Sequence, residues 1–403
     1  IDNSVISSTA GALALDFATV GATPSGVAIL NTIIETRGGD VRFGDLRTVS
    51  SPILGSSGAP ALWLESNSSD TPAALAITDS VIDAGGGSIT GGGAVGAAGF
   101  DVPGVLLFRS VFDASRIELA GRSDFAEGLA SDESTLRATR VLALTGDSAG
   151  NFPPTAQGLR IGLRSTLQLL DTTNDAGSRL ALTGRKLGDG IGLLVEGGAV
   201  GSGNETRISI EGADAVLTGV AGSGSGLVMR GSADASGGAF VSAPLARLLR
   251  LDGSVTLDAA TGGTGTGVQL FHARLIGPQI SETAPLEITA NGGGADGAGL
   301  KLEFSSISSG GVTTLAGNSI LVSNSLLSGD GSIELFAVDR GASAGSIVIE
   351  QSAVQTSRPT ARVFAGTRGG GPAIGVANIA GGAGVQVSDS VIEASDGGGV
   401  VEL

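Results

Sequence analysis

One short phrase recurs along the chain and constrains its fold more than any other feature. The phrase is a polar residue, then Ser or Thr, then two residues that are often apolar, then a polar and a small residue. Its clear and weaker copies occupy residues 3–8, 31–36, 79–84, 109–114, 164–167, 304–307, 324–327, 351–354 and 389–394. The clearest neighbouring copies lie roughly 20 to 30 residues apart, a period typical of proteins built from stacked repeats.

Short stretches of alternating apolar and polar residues flank the phrase. Residues 104–107 precede one copy and residues 116–119 follow it. Such alternation predicts a β-strand with one row of side chains inward and one outward. Strands this short cannot bury an apolar face alone, so we expect each to pair in parallel with the equivalent strand one repeat later.

The predicted fold is therefore all-β, a right-handed parallel β-helix that forms a single domain over residues 1–403. Roughly 15 turns of about 25 residues would fit the chain, and strands about 4.8 Å apart would make a rod roughly 70 Å long. We expect Ile, Val and Leu to stack along its axis, and Gly and Asn to supply positive φ angles at the corners. Residues 136–144 fit a strand better than a helix.

Several Gly-rich polar segments break the period and are predicted to be irregular loops that extend from single turns. They are residues 145–156, 197–206, 259–267, 291–299 and 366–375. Their composition is also that of flexible linkers. A division of the chain near residues 215–240 is therefore the alternative to a single domain.

Composition excludes several classes of function. The net charge of −16, from 39 acidic and 23 basic residues, argues against nucleic acid and anionic membranes as partners. With 69 Gly but 41% hydrophobic residues, the chain has enough apolar surface to fold. The absence of Cys excludes disulfides and thiolate metal sites.

The chain has no signal for insertion into a membrane or for targeting. It has no run of eighteen apolar residues, so we expect no membrane-spanning helix. It starts at Ile1 in mid-pattern, without Met or a signal peptide. We interpret it as an internal segment of a longer exported protein.

Motifs for phosphate, calcium and histidine chemistry are weak. Residues 184–187 lack the hydroxyl that ends a Walker loop, so the Gly-rich stretches are interpreted as loops. Asp296 and Asp330 follow glycines as in calcium-binding nonapeptides, but neither recurs every nine residues. His272 is the only histidine and is predicted to be a surface residue without a catalytic or zinc-binding partner. No catalytic, cofactor-binding or metal-ligating residue is assigned, and no cofactor is expected.

Paired carboxylates are the strongest sign of possible chemistry, because β-helical enzymes that cleave polysaccharides use such pairs. The candidates are Asp79 with Asp83, Asp113 with Arg116, and Asp389 with Glu393. Residues four apart in a strand share a face but lie about 13 Å apart, so a dyad would have to form between turns. The absence of Tyr and the single Trp, Trp63, argue against a sugar cleft.

Phenylalanines near the predicted strands are expected to stack in the core rather than to form a ligand platform. They are Phe43, Phe100, Phe108, Phe112, Phe271, Phe304 and Phe336.

The order of these strands and phrases resembles the filamentous-haemagglutinin-like repeats of large bacterial exoproteins. Residues 104–121 and 319–336 carry the resemblance best. The resemblance implies a β-helical rod at the cell surface, exported through an outer-membrane transporter by a two-partner or autotransporter route. The Asn-Pro-Asn motifs of that family's secretion domain are absent, which implies a rod segment downstream of it. The family's rods have no catalytic residues to carry over.

Together these features predict an adhesin, secreted or held at the bacterial cell surface, that binds a cell-surface receptor or glycan through its outer strands and loops. Neither nucleic acid nor membrane insertion is expected. The alternatives are a β-helical enzyme that degrades polysaccharides and a passive stalk that presents a toxin or binding tip.

Overall fold

In a computed structural model the described residues form strands and no helices, and no described segment forms a helix able to cross a membrane. The structure describes residues 1–9, 13–16, 27–44, 64–66, 74–95, 102–149, 156–171, 177–198, 205–211, 213–231, 239–242, 255–261, 266–277, 286–291, 299–317, 319–329, 331–337, 347–357, 362–367, 371–372, 385–394 and 400–402.

The described residues form 36 strands, most of them short, as the alternating stretches of the sequence predict. In chain order they are β1 Val5–Ser8, β2 Leu13–Asp16, β3 Val27–Leu30, β4 Ile33–Thr36, β5 Val41–Gly44, β6 Leu64–Ser66, β7 Leu75–Thr78, β8 Val81–Asp83, β9 Ser88–Val95, β10 Val105–Phe108, β11 Val111–Ser123, β12 Leu129–Asp132, β13 Thr135–Ser148, β14 Gln157–Ile161, β15 Thr166–Leu170, β16 Arg179–Glu196, β17 Thr206–Glu211, β18 Asp214–Arg230, β19 Ala239–Ser242, β20 Val255–Thr261, β21 Val268–Phe271, β22 Ala273–Ile276, β23 Leu286–Asn291, β24 Leu300–Glu303, β25 Ser306–Ser309, β26 Thr313–Gly317, β27 Ile320–Ser323, β28 Leu326–Gly329, β29 Ile333–Ala337, β30 Ile347–Glu350, β31 Ala353–Thr356, β32 Arg362–Thr367, β33 Gly371–Pro372, β34 Val385–Ser388, β35 Val391–Glu393 and β36 Val400–Glu402.

Pairing between these strands is parallel, apart from one antiparallel contact between β32 and β33 among the described residues. The pairs form three ladders. The first runs from β3 through β7, β10, β12 and β14 to β34. The second runs from β1 through β4 and β8 to β35, and the third from β2 through β5 and β9 to β36.

The chain visits the first, second and third ladders in the same order again and again. We call one such passage a repeat. The long strands β11, β13, β16 and β18 each contribute to two ladders, because the chain continues from one ladder to the next without leaving extended structure. The described part of the second ladder contains thirteen strands, slightly fewer than the 15 turns expected.

Inward side chains form apolar columns, because the parallel register places each on its equivalent in the next repeat. In the second ladder Ile34 pairs with Ile82, Ile82 with Phe112, and Phe112 with Leu136, and all four are fully buried. The expected stacking of Ile, Val and Leu is confirmed. One continuous hydrophobic cluster extends from Ile29 to Ala365.

Non-glycine residues with positive φ lie at the start of each described copy of the sequence phrase, between the first and second ladders. They are Asn3, Asn31, Asp79, Arg109, Glu133, Arg164, His272, Phe304, Asn324, Gln351 and Asp389, with φ between 45° and 59°. The expectation of Gly and Asn at these corners was therefore wrong in part. Backbone hydrogen bonds hold the conformation instead: Phe304 N, for example, donates to Ser323 O at 3.2 Å.

A Ser or Thr follows each of these corner residues except His272, which Ala273 follows, and these hydroxyls build a ladder beneath the corner. Ser110 Oγ donates to Phe108 O at 2.9 Å and accepts from the backbone N of Ser80 at 3.1 Å. Ser110 N in turn donates to Ser134 Oγ at 3.2 Å. The recurring Ser is therefore a structural residue, which fixes one corner to the next.

Glycines line the opposite crossing, where the third ladder meets the first. Gly121, Gly146, Gly184 and Gly219 stack in register, and a Cβ atom on any of them would collide with the carbonyl of a glycine at the start of the first ladder. The two ladders approach there backbone to backbone, which only Gly allows.

Several predicted loop boundaries needed correction. Residues 145–148 belong to β13 and residues 259–261 to β20 rather than to loops, because their register with neighbouring repeats continues. Residues 366–367 likewise belong to β32 and residues 371–372 to β33, and Thr206 and Asn291 are terminal residues of β17 and β23. Residues 136–144 lie within β13, which confirms the strand prediction over the helix. β18 continues the first and third ladders through residues 214–230, and the single domain stays a prediction.

Candidate functional site: a groove along one corner

A groove of about 500 Å³ runs along the corner between the first and second ladders in the C-terminal part of the chain. We call it the corner groove. Its lining comes from five successive repeats: Ala273, Arg274, Phe304, Ser305, Ser306, Asn324, Ser325, Leu326, Gln351, Ser352, Ala353 and Asp389.

The hydroxyl ladder forms the floor of the corner groove. Ser305 N donates to Ser325 Oγ, and Ser325 N donates to Ser352 Oγ, each at 3.1 Å. Each hydroxyl also donates to the carbonyl two residues earlier, as Ser325 Oγ does to Ser323 O at 2.7 Å. Each of these buried serine hydroxyls makes two hydrogen bonds, one as donor and one as acceptor, and the connected series makes the floor rigid.

Phe304 forms one side of the groove and corrects a prediction. Phe43 and Phe112 are fully buried as expected, but Phe304 is 51% exposed. Phe108, Phe271 and Phe336 are half-buried, so the core prediction was wrong for them as well. Phe304 occupies the corner position with φ of 48°, from which its side chain leaves the core. The sequence carried this signal, because Phe304 stands where other copies of the phrase have Asn, Asp or Arg. Phe100 lies outside the described residues.

His272 supports Phe304 from the preceding repeat. The two rings are stacked, with centroids 5.0 Å apart and planes at 6°. Phe271 contacts the His272 ring edge-on at 4.5 Å. The predicted surface histidine is thus a half-buried corner residue that packs against two aromatic rings.

Polar side chains continue the groove away from Phe304. Asn324, Gln351 and Asp389 occupy the corner positions of the next three repeats and are all exposed. Arg274 lies exposed at the other end. Amides both donate and accept hydrogen bonds, so this row suits a ligand rich in hydroxyl or amide groups.

A second groove of about 400 Å³ lies at the opposite, C-terminal ends of the same second-ladder strands. Ser308, Ser309, Ser328, Gly329, Gln355, Thr356, Ser357 and Glu393 line it. Glu393 Oε2 accepts a hydrogen bond from Gln355 Nε2 at 3.2 Å. Asp389 and Glu393, paired in the sequence prediction, therefore belong to two different grooves.

The fold also separates the other predicted pairs, and it brings two of their carboxylates together in a new pair. Asp79 forms an ion pair with Arg109 at 2.7 Å, and Arg116 pairs with Glu118 instead of Asp113. Asp83 and Asp113, however, are register partners on adjacent strands β8 and β11. Burial, and then the charge of Asp83, raises the pKa of Asp113, while Arg137 opposes the shift.

An ionisable side chain in the interior, Lys186, lies apart from both grooves. Lys186 is fully buried, and its Nζ donates to Ser148 Oγ at 3.1 Å. Burial lowers its pKa, against the charges of Asp189 and Glu127. Residues 184–187 lie inside strand β16 rather than in the predicted loop, since their register with β13 and β18 continues through Lys186.

No group of three or more acidic or histidine side chains that could hold a metal occurs in the part of the chain that the structure describes. The calcium candidates Asp296 and Asp330, and the single tryptophan Trp63, lie outside the described residues. The corner groove therefore offers groups for binding, with an aromatic ring, amides and one carboxylate, rather than a metal centre.

Comparisons with protein-family models, with curated proteins and with solved structures give no match for this chain.

Proposed function

We propose that the chain is an adhesin rod, a segment of a bacterial surface or secreted protein that binds neighbouring or host cells. The observation that carries the proposal is the combination of three continuous parallel ladders with a rigid groove that spans five repeats. Stacked repeats give extended surfaces, which suit binding by many shallow contacts.

The proposal includes a right-handed β-helix, in which the chain coils through the three ladders. The repeated order of the three ladders requires the chain to return to the same ladder after each repeat. Connections between parallel strands are almost always right-handed, because the strand twist favours that hand. Thirteen strands about 4.8 Å apart would make a rod about 60 Å long.

Export and partners follow from the resemblance to filamentous-haemagglutinin-like repeats. The proposed location is the outside of the bacterial cell, with an outer-membrane transporter as the export partner and a cell-surface receptor or glycan as the ligand. The net charge of −16 supports a well-solvated surface that resists self-association.

The test of this proposal is binding to cells by the purified 403-residue chain. We expect saturable binding to bacterial or epithelial cells, without release of new reducing ends from their polysaccharides. A chain that binds no cells and degrades no polysaccharide would be a passive stalk, and the adhesin proposal would be wrong.

A polysaccharide-degrading enzyme is the second candidate, because Asp83 and Asp113 face each other on adjacent strands. Two carboxyl groups about 5 Å apart suit a retaining glycosidase, and the raised pKa of Asp113 suits a general acid. Release of reducing ends by the parent chain, lost in Asp113→Asn, would favour this candidate over the adhesin.

A further inference from the structure

Phe304 is an exposed aromatic ring that the fold holds still. A bulky side chain at positive φ is rare, and the backbone bond to Ser323 fixes it there. His272 covers one face of the ring. A single exposed hydrophobic side chain is ordinary in itself, but Phe304 lies in a groove beside amide and carboxylate groups, a combination typical of a ligand site.

The other face of Phe304 turns toward the groove. Register pairs Glu303 with Phe271 on one side and with Ser323 on the other, so the corner side chains follow the order His272, Phe304, then Asn324. Because His272 stacks on the first side, the free face points toward Asn324 and the repeats beyond it.

Hydrogen-bonding groups follow this free face at the spacing of the repeats. Asn324, Gln351 and Asp389 stand one repeat apart, about 4.8 Å for each step of a parallel ladder. The groove is open and shallow and runs along the stack. It suits an extended polymer with one apolar ring face and many hydroxyls better than a compact small molecule, which prefers an enclosed apolar pocket.

We propose that the corner groove binds a neutral glycan chain, with one sugar ring stacked on Phe304 and the next hydrogen-bonded to Asn324 and Gln351. The C–H face of a sugar packs on an aromatic ring, while an amide can donate to one hydroxyl and accept from another. The groove itself carries one charge of each sign, Arg274 and Asp389, and the net charge of −16 disfavours the approach of sulfated or sialylated chains, so an uncharged chain fits it best. This inference rests on the adhesin proposal and names its ligand.

The test is titration of the 403-residue chain with cellohexaose, chitohexaose and maltohexaose, and with a heparin hexasaccharide as the anionic comparator. We expect saturable binding of at least one neutral hexasaccharide and none of heparin. Phe304→Ala should weaken binding at least tenfold, and His272→Ala about two- to fivefold, since His272 only positions the ring.

Arg164→Ala is the matched control. Arg164 occupies the same corner position with positive φ in a repeat outside the groove, so its variant should bind the sugar like the parent. Unchanged thermal unfolding of Phe304→Ala would show that the loss is local. If Phe304→Ala lowers the unfolding temperature, an Asn324→Ala and Gln351→Ala double variant replaces it, with the same tenfold loss expected.

Three results would overturn the proposal: the parent binds only heparin, it binds none of the neutral hexasaccharides, or Phe304→Ala binds them as tightly as the parent. Cell binding separates the two levels of inference. If the parent binds cells and periodate oxidation of cell-surface sugars leaves that binding intact, the glycan inference fails and the adhesin proposal stands. If the parent binds a neutral hexasaccharide but no cells, the adhesin proposal fails and glycan binding by the groove stands; if it binds neither, both fail.

Discussion

At the scale of single residues, hydroxyls and corner conformations decide the local structure. Each described corner of the hydroxyl ladder needs a small side chain that accepts from a backbone N–H of the preceding repeat and donates to the carbonyl two residues earlier, as Ser110 does. Ser and Thr meet this requirement, and the side chain before them points to solvent. The corner residue is thus free to vary, which explains how Asn31, Arg109 and Phe304 share one backbone shape.

Ser110→Ala should therefore destabilise the chain by about 1–3 kcal/mol, because the buried N–H of Ser80 loses its acceptor. The measurement is the shift of the guanidinium unfolding midpoint. Ser209→Ala is the control, since Ser209 lies half-exposed on an outer strand face and should change stability by less than about 0.5 kcal/mol. Equal shifts for the two variants would contradict a structural role for the ladder.

Lys186→Met should stabilise the chain by about 1–2 kcal/mol at pH 7, because it removes a buried charge. Burial lowers the pKa of Lys186 in the folded state from its ordinary value of 10.5. Between the lowered pKa and pH 10.5, the unfolded state therefore binds more protons than the folded state. The parent's stability then rises with pH through that window. The advantage of Lys186→Met is full below the lowered pKa and disappears toward pH 10.5.

Urea unfolding at a series of pH values measures this effect. Lys301→Met is the control: Lys301 forms a surface ion pair with Glu303 at 3.0 Å, and such pairs contribute little. A Lys186→Met variant less stable than the parent at pH 7 would show that the lysine's hydrogen bonds outweigh its burial cost.

At the scale of elements, close backbone contact between the third and first ladders limits what the strands can carry. Gly184 stacks between Gly146 and Gly219 and faces the carbonyl of Gly192. The long strands β13, β16 and β18 pass this contact without interruption, which is why the predicted loop at residues 145–148 is a strand.

Gly184→Ala should destabilise the chain by about 3 kcal/mol, the upper end of the usual cost of overpacking, because its methyl group would meet backbone on the facing ladder. Gly86→Ala provides the control: a Cβ there meets nothing within 4 Å, and a change within about 0.5 kcal/mol is expected. The shift of the denaturant midpoint distinguishes the two, and a tolerated Gly184→Ala would mean that the ladders can move apart.

At the scale of the whole molecule, each repeat contacts chiefly the repeats before and after it. Stability in such a stack is close to a sum of local and nearest-neighbour contributions. Damage at one repeat should therefore spread to its neighbours and fade along the axis, unlike damage in a globular core.

Hydrogen–deuterium exchange of Gly184→Ala tests this expectation. Peptides that cover residues 141–148 and 214–220 should exchange faster than in the parent, because both segments pair directly with β16. Peptides that cover residues 320–356 should keep the parent's protection. Faster exchange in every peptide would contradict the nearest-neighbour description.

The recurring phrase was sufficient to predict an all-β chain of parallel strands and its apolar columns, because period-two alternation and a repeat length are properties of the chain itself. The pairing of Asp83 with Asp113 and the groove beside Phe304 depended on the register between repeats. That register joins residues 20 to 48 positions apart in the sequence, as from Ser306 to Leu326 and from Ile33 to Val81. Loops of unequal length set those intervals, and local pattern does not encode them. The sequence alone therefore determined the kind of strand and its inward face, while tertiary structure decided which outward side chains became neighbours.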